Sequence, residues 1–256
     1  MIHFVGAGPG AVDLITVRGK SLIENADVII YAGSLVNPEL LKWAKESCSI
    51  YNSAYMTLEE VIEVMVRAEE AAQTTVRLHT GDPAIYGAIR EQIDELERHK
   101  LAYEVCPGVS SMFGAAASLQ AEYTLPGVSQ TVIIARAEGR TPVPERERLK
   151  ELARHQATMV LFLSSGLVDR VKAELLEGGY APETPVAVVY KATWPEEKIV
   201  RTTIDGLPEA MKEEQISKTA LIVIGDVLGY VYDKSSLYDA AFTTEFRKGR
   251  TEKEKD

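Results

Sequence analysis

The chain is poor in the residues that crosslink proteins or ligate metals. Among 256 residues there are two cysteines, Cys48 and Cys106, and four histidines, His3, His79, His99 and His155. No CxxC or clustered ligand spacing joins them, which excludes a disulfide scaffold and leads to no expectation of a bound metal. So little cysteine suits the cytoplasm. No apolar run approaches the ~18 residues of a membrane span, and the opening MIHFVGAGPG lacks the basic start and long apolar stretch of a secretory signal. Basic residues are in deficit, with 28 Lys and Arg against 38 Asp and Glu and a formal net charge of −10. This argues against a general nucleic-acid surface, which needs a basic footprint. An anionic ligand must therefore be met by local basic groups.

What is present is a globular composition, 46% hydrophobic and 26% charged, in a chain long enough for one large domain or two small ones. Short β-branched runs alternate with helical patterns almost from end to end, the signature of an α/β fold. Residues 2–5, 28–31, 76–79 and 103–106 read as buried strands. Residues 16–25, 38–45, 58–72 and 84–98 carry apolar side chains at helical spacing, as in Leu58, Val61, Ile62, Met65 and Val66. This half reads as an open, mainly parallel sheet with helices on both faces. A second series of strands is expected at 131–135, 159–163, 186–190, 199–203 and 221–224. Only ATWPEEK separates the third of these from the fourth, too little for a crossover helix, so that pair is expected to be antiparallel and the second sheet mixed. QAEYTLPG at 120–127 marks the boundary. The reading is one α/β domain over 1–119, a second over 120–246, and a charged tail over 247–256.

Three glycine-bearing loops follow strands of the first half. Gly6-Ala7-Gly8-Pro9-Gly10-Ala11 formally satisfies G-x-G-x-x-A, but Pro9-Gly10 interrupts the helix start and no acid ends the second strand, so a nicotinamide dinucleotide is disfavoured. In Thr80-Gly81-Asp82-Pro83, Asp82 and Pro83 suit the N-cap and first turn of a helix, while Gly81 admits a ligand close to the backbone. Pro107-Gly108-Val109-Ser110-Ser111 presents two hydroxyls at another helix start. Three such loops at one sheet edge point to a binding rim. In the second half, the Arg136–Arg146 segment gathers arginines and prolines suited to carboxylate recognition, and Tyr190-Lys191-Ala192-Thr193-Trp194 adds a base and an aromatic. From the residues alone, the chain is a two-domain α/β protein binding a nucleotide-like ligand between its halves.

VGAGPGAVDLIT at 5–16, TGDPAIYG at 80–87, CPGVSS at 106–111 and LFLSSG at 161–166 resemble, in order and spacing, the tetrapyrrole methylases, over about residues 1–250. YAGSLVNP at 31–38, RAEGRTPVPE at 136–145 and VVYKATWPEEKIVRTT at 188–203 look like the branch that methylates C-11 of precorrin-4 or cobalt-precorrin-4 in cobalamin synthesis. TGDPAIYGAI departs from the GGDP and following phenylalanine-glycine-arginine of porphyrinogen-type C-2/C-7 methylases. The resemblance implies a homodimer using S-adenosyl-L-methionine in a cleft between the domains. Carried over residue by residue, its cofactor contacts are Pro9, Gly81, Asp82, Ile85, Tyr86, Ser110, Ser111, Leu163, Ala192, Thr219 and Ala220. No catalytic acid or base is expected, because the sulfonium already activates the methyl group. Arg136, Arg140 and Lys191 are expected to hold the carboxylate arms of the macrocycle, with Glu138 orienting one of those arginines or handling a proton. The other readings are a methylase of another target and a non-catalytic nucleotide-binding protein.

Overall fold

The apolar runs assemble into two separate five-stranded sheets, described for residues 1–229 and 231–250 of a computed structural model. The first sheet contains β1 (Ile2–Gly6), β2 (Val28–Tyr31), β3 (Ser49–Asn52), β4 (Thr75–His79) and β5 (Tyr103–Cys106) in the order β3-β2-β4-β1-β5. All its pairings are parallel. Every strand therefore ends at the same edge, where open α/β sheets bind ligands. Helix α2 (Leu58–Glu70) and helix α3 (Ile89–Arg98) cover one face, over a core that includes Phe4, Ile30, Ile62, Met65 and Leu96. Helix α1 (Val17–Asn25) and a 3-10 segment (Pro38–Trp43) cover the other, over Val5, Ile23, Ile29, Leu40 and Leu78.

Local chemistry sets the helix starts. Thr16 caps α1 by accepting from the Gly19 amide at 3.0 Å. Thr57 and Glu60 form a reciprocal capping box at α2, with Glu60 Oε2 accepting from the Thr57 amide at 2.7 Å. The helix expected over 84–98 begins only at Ile89, because Tyr86 and Ala88 are left-handed, at φ 54° and 49°, and break any helical turn before it. Asp82 and Pro83 are thus not a helix start. The segment expected as a helix over 38–45 is the 3-10 turn. Strand β3, exposed and polar at an edge, has no sequence expectation to match.

The second sheet contains β6 (Val132–Arg136), β7 (Thr158–Phe162), β8 (Pro185–Tyr190), β9 (Lys198–Thr203) and β10 (Ala220–Ile224), in the order β6-β7-β10-β8-β9. Strands β6 and β7 are parallel, whereas β10 runs antiparallel to both β7 and β8, and β8 antiparallel to β9 as its short connection requires. One face is covered by α5 (Leu149–Ala153), α6 (Val168–Glu177) and α7 (Leu207–Glu213). Its other face packs on α4 (Ser111–Leu119), through Met112, Ala115 and Leu119 against Val160, Val189 and Val223. Helix α4 thereby joins the two halves. Arg201 donates to the Leu119 carbonyl at the end of α4, and Ser118 to Glu197 at 2.6 Å.

No described helix is long and apolar enough to cross a membrane. Of the charged tail expected over 247–256, residues 251–256 lie outside the described residues. Arg247 folds back, donating to the carbonyls of Leu237 and Asp239.

Candidate active-site cleft

The three glycine loops are stitched into one rim. Gly8 and Gly81 exchange backbone hydrogen bonds at 3.2 and 2.9 Å. Asp82 Oδ2 accepts from the Gly108 amide at 2.8 Å, while Oδ1 accepts from the Ala84 amide at 2.8 Å. Its carboxylate is therefore a brace between the second and third loops. The loops meet so closely that a Cβ on Gly108 would lie 2.2 Å from the Gly81 oxygen, and one on Gly6 2.6 Å from the same oxygen. Only glycine fits at these two positions.

The second half closes over this rim. Its edge is formed by the ends of β7 and β8 and the start of β10, which the antiparallel direction of β10 brings to one side. Leu163, Lys191, Thr193 and Thr219 there are all left-handed, at φ 52°, 46°, 70° and 57°. Such residues are strained by about 1–3 kcal/mol each and gather at functional sites. Buried hydroxyls hold the turn in LFLSSG: Ser164 accepts from the Ala137 amide and Ser165 donates to the Ala220 carbonyl. Glu197 accepts from the Thr193 amide, and Thr193 Oγ1 in turn accepts from the Ala11 amide at 3.0 Å. Trp194 Nε1 donates to the Pro9 carbonyl at 3.2 Å, its ring against Gly10 where any Cβ would collide with it.

Between the halves lie two adjoining chambers. The larger, about 330 Å³, is bordered chiefly by Pro9, Val189, Ala192, Trp194, Thr219 and Leu221. The smaller, about 200 Å³, is bordered by Arg77, His79, Gly81, Ile85, Tyr86 and Ser110 among others. Leu35, Thr80, Ser111, Phe162 and Leu163 face both. Rings from the two halves meet here, Tyr86 and Phe162 with centroids 5.6 Å apart. Burial pushes the Tyr86 phenol up, opposed by the charge of Arg136.

A family model described as Tetrapyrrole (Corrin/Porphyrin) Methylases matches residues 1–208. The chain belongs to that family. It is 60% identical over 250 residues to the cobalt-precorrin-4 C(11)-methyltransferase of Methanocaldococcus jannaschii, covering 96% of each protein. With the enzyme of the same name from Priestia megaterium it shares 49% over 252 residues, or 97% of this chain and 98% of the relative. Among solved structures, it resembles a cobalamin biosynthetic enzyme, cobalt precorrin-4 methyltransferase, with TM-score 0.88 and 49% identity over 90% of this chain and 96% of that one. A uroporphyrin-III C-methyl transferase from Thermus thermophilus, complexed with S-adenyl homocysteine, is similar at TM-score 0.75 and 27% identity, over 91% and 95% of the two chains.

In this tetrapyrrole methylase the residues expected to hold the cofactor are brought together. Pro9, Ser111, Leu163, Ala192, Thr219 and Ala220 border the larger chamber. Gly81, Asp82, Ile85, Tyr86 and Ser110 border the smaller. Ser110 stands at the N-cap of α4 yet makes no capping bond. The residues expected to hold the macrocycle are dispersed. Lys191 borders the larger chamber, beside Trp194 and paired with Glu196 at 3.3 Å. Arg136, Glu138 and Arg140 border neither. Arg136 donates to the carbonyls of Thr141 and Pro142, shaping its own loop. Glu138 orients neither Arg136 nor Arg140: it pairs with Arg170 at 2.6 Å, whose hydrogen bond holds its carboxyl below the usual range. Arg140 is exposed and makes no ion pair among the described residues.

Sequence reasoning passed over Leu35, Phe162 and Lys218 in the cleft, and named Thr80 and Trp194 only as members of their loops. It also passed over Arg77 and His79. Their signal was the alternation Thr75, Arg77, His79 in a central parallel strand, where both faces are normally apolar.

Proposed function

We propose that this protein is the S-adenosyl-L-methionine-dependent methyltransferase that acts on C-11 of cobalt-precorrin-4 in cobalamin biosynthesis. The similarity that supports this reading extends over nearly the whole chain, at 60% identity to an enzyme so named and with the fold of another. The observation that carries it is the cleft, where every position expected to meet the cofactor borders one of two joined chambers.

The cleft fits the cofactor. Its larger chamber lies within the roughly 300–1,000 Å³ of small-ligand sites, its apolar walls suit an adenosyl group, and the glycine rim admits close contact with backbone groups. When bound, S-adenosyl-L-methionine supplies a methyl group on a sulfonium leaving group. The protein's work is to place a macrocycle carbon in line with that methyl group, to exclude water, and to accept the excess charge of the acid arms. Trp194, Phe162 and Leu163 form apolar walls around the site, and the brace of Asp82 keeps the loops in register. Proximity and orientation supply the rate. No side chain need act as a nucleophile.

Incubation with S-adenosyl-L-methionine and cobalt-precorrin-4 under anaerobic conditions, followed by mass and position analysis of the product, tests the function. A single added methyl at C-11 is expected. A methyl at another carbon, or binding of the cofactor with no turnover, would refute it. The cytoplasm is the proposed compartment. A homodimer is the proposed assembly, and exposed Phe113, Ile134 and Ile199 are apolar side chains it would have available to cover. A monomer in sedimentation equilibrium would count against it.

A further inference from the structure

One wall of the larger chamber is the turn between β8 and β9, and the side chain that holds this turn lies outside the chamber. Ala192 and Trp194 border the space itself. Across the cleft, Thr193 Oγ1 accepts from the Ala11 amide at 3.0 Å and Trp194 Nε1 donates to the Pro9 carbonyl at 3.2 Å, so the turn closes on the first glycine loop. Lys191 and Thr193 are left-handed, at φ 46° and 70°. For a β-branched threonine that region is a true outlier. Such a conformation persists only where the surroundings over-determine it.

Backbone bonds fix the turn at Lys191, which donates to the Thr219 carbonyl at 2.9 Å, and at Trp194 and Glu197, which donate to the carbonyls of Lys191 and Trp194 at 3.0 Å each. The Thr193 amide has no backbone acceptor among the described residues. It donates instead to Glu197 Oε2 at 2.5 Å, and the same oxygen accepts from Ser118 Oγ on α4 at 2.6 Å. One carboxylate oxygen thus ties the strained residue to the helix that joins the two halves. Gly114, a turn earlier on that helix, makes the approach possible, since a Cβ there would lie 2.8 Å from Pro9 Cβ and 3.1 Å from Thr193 Cγ2. Glu197 itself borders neither chamber. Without its carboxylate the Thr193 amide loses a charge-assisted bond, about twice as strong as a neutral one. Residue 193 is then free to relax to negative φ, which turns Oγ1 from Ala11 and draws Trp194 from Pro9.

We infer that Glu197 is a cofactor-positioning residue: from behind the chamber wall, one of its oxygens fixes the left-handed Thr193 to α4 and so presents Ala192 and Trp194 to S-adenosyl-L-methionine. The inference rests on the cleft as the cofactor site given under Proposed function, and it holds whichever ring carbon is methylated.

The test is a calorimetric titration of the intact protein and its variants with S-adenosylhomocysteine, beside the fluorescence of Trp194 in a Trp43→Phe background that removes the only other tryptophan. Glu197→Ala is expected to weaken binding on the order of tenfold. In the free protein it should also shift the Trp194 emission to longer wavelength, and saturating S-adenosylhomocysteine should restore part of that shift. Glu197→Gln keeps an oxygen that can accept both bonds, and should bind within about threefold of wild type. Glu197→Asp, one methylene short of both donors, should fall between the two and serves as the probe if Glu197→Ala does not fold. Ser118→Ala, which spares the bond to Thr193, should cost about twofold. A lowered melting temperature with affinity and emission unchanged would overturn the inference by making Glu197 a brace of the turn alone. A glutamine variant as weak as the alanine or aspartate one would also overturn it, since charge and not the bonded oxygen would then matter. If wild type fails to bind S-adenosylhomocysteine, the cofactor site itself falls and the inference with it. If wild type and all variants bind it alike, only the role of Glu197 falls.

Discussion

The two halves reach one cleft by different means. The first sheet is wholly parallel, so its loops arrive together at one edge and the site there is made from backbone, with glycines at Gly6, Gly81 and Gly108 packed against one another. The second sheet is mixed, and its contribution comes from three turns distant in sequence, at Leu163, Lys191 and Thr219, each in a left-handed conformation. A parallel sheet offers a common edge as a result of its topology. A mixed sheet must build one, and here it does so with strained residues held by buried hydroxyls and by Glu197.

The largest expected effect separates glycines on the two sides. Gly108→Ala would place a methyl 2.2 Å from the Gly81 oxygen and 2.7 Å from Gly6 Cα, all backbone, and should destabilise the fold by about 3 kcal/mol or more. Gly166→Ala, on the mixed-sheet side, meets nothing nearer than the Ser217 oxygen at 3.5 Å, and should change stability by no more than about 0.5 kcal/mol. Thermal melts of the pair would break the comparison if both were equally harmful.

Next comes acid sensitivity in the parallel half. His79 is neutral in the folded protein, with its pKa lowered to about 3, whereas unfolded histidine titrates near 6.5. The unfolded state thus binds the extra proton first, and stability present above pH 6.5 is lost as pH falls toward 3, by up to about 1.4 kcal/mol per unit. Denaturant titrations should show a shallower acid limb for His79→Gln than for wild type, and an unchanged limb would refute the assignment.

A smaller effect is expected where the halves touch. Trp194→Ala removes the bond to Pro9 and the plate over Gly10, and should weaken S-adenosylhomocysteine binding about tenfold by calorimetry. Trp194→Phe should retain most of the affinity. Equal losses in both would show that the indole N–H, and not the plate, is what matters.

The smallest effects belong to the arginines of the 136–146 loop. Arg136→Ala should lower stability by about 1 kcal/mol through its lost bonds to Thr141 and Pro142, with little change in macrocycle affinity. Arg140→Ala should change neither. A tenfold loss of macrocycle affinity in Arg140→Ala would restore the carboxylate clamp that the sequence suggests.

The contrast between the halves also governs what could be read from the sequence. The glycine loops were legible because each lies in a short stretch between a strand and a helix, and local spacing reveals it. Asp82 was misread as a helix cap because its true partner, the Gly108 amide, lies 26 positions away and no local pattern announces it. Tyr86 and Ala88 are ordinary helix residues in composition, and only their left-handed backbone shows why α3 starts late. Strand β3 is polar and exposed, without the apolar run that marks a strand. Arg136 and Arg140 were assigned by charge alone, and charge does not say whether a guanidinium turns toward a cleft or toward its own loop. Arg77 and His79 illustrate the reverse: polar residues in a buried strand are visible in the sequence, and only the fold places them beside the smaller chamber.

The bonds from Trp194 to Pro9 and from Thr193 to Ala11 bridge 185 and 182 positions of the chain. During synthesis the parallel sheet is complete once β5 has emerged, and it can begin to fold early. Its glycine rim then waits for the residues near 194, since contacts of such long sequence separation form late. A growing chain therefore exposes half a cleft for as long as it takes to make roughly 90 more residues, at about 5–20 residues per second a matter of several seconds or more. Cofactor capture becomes possible only near the end of translation.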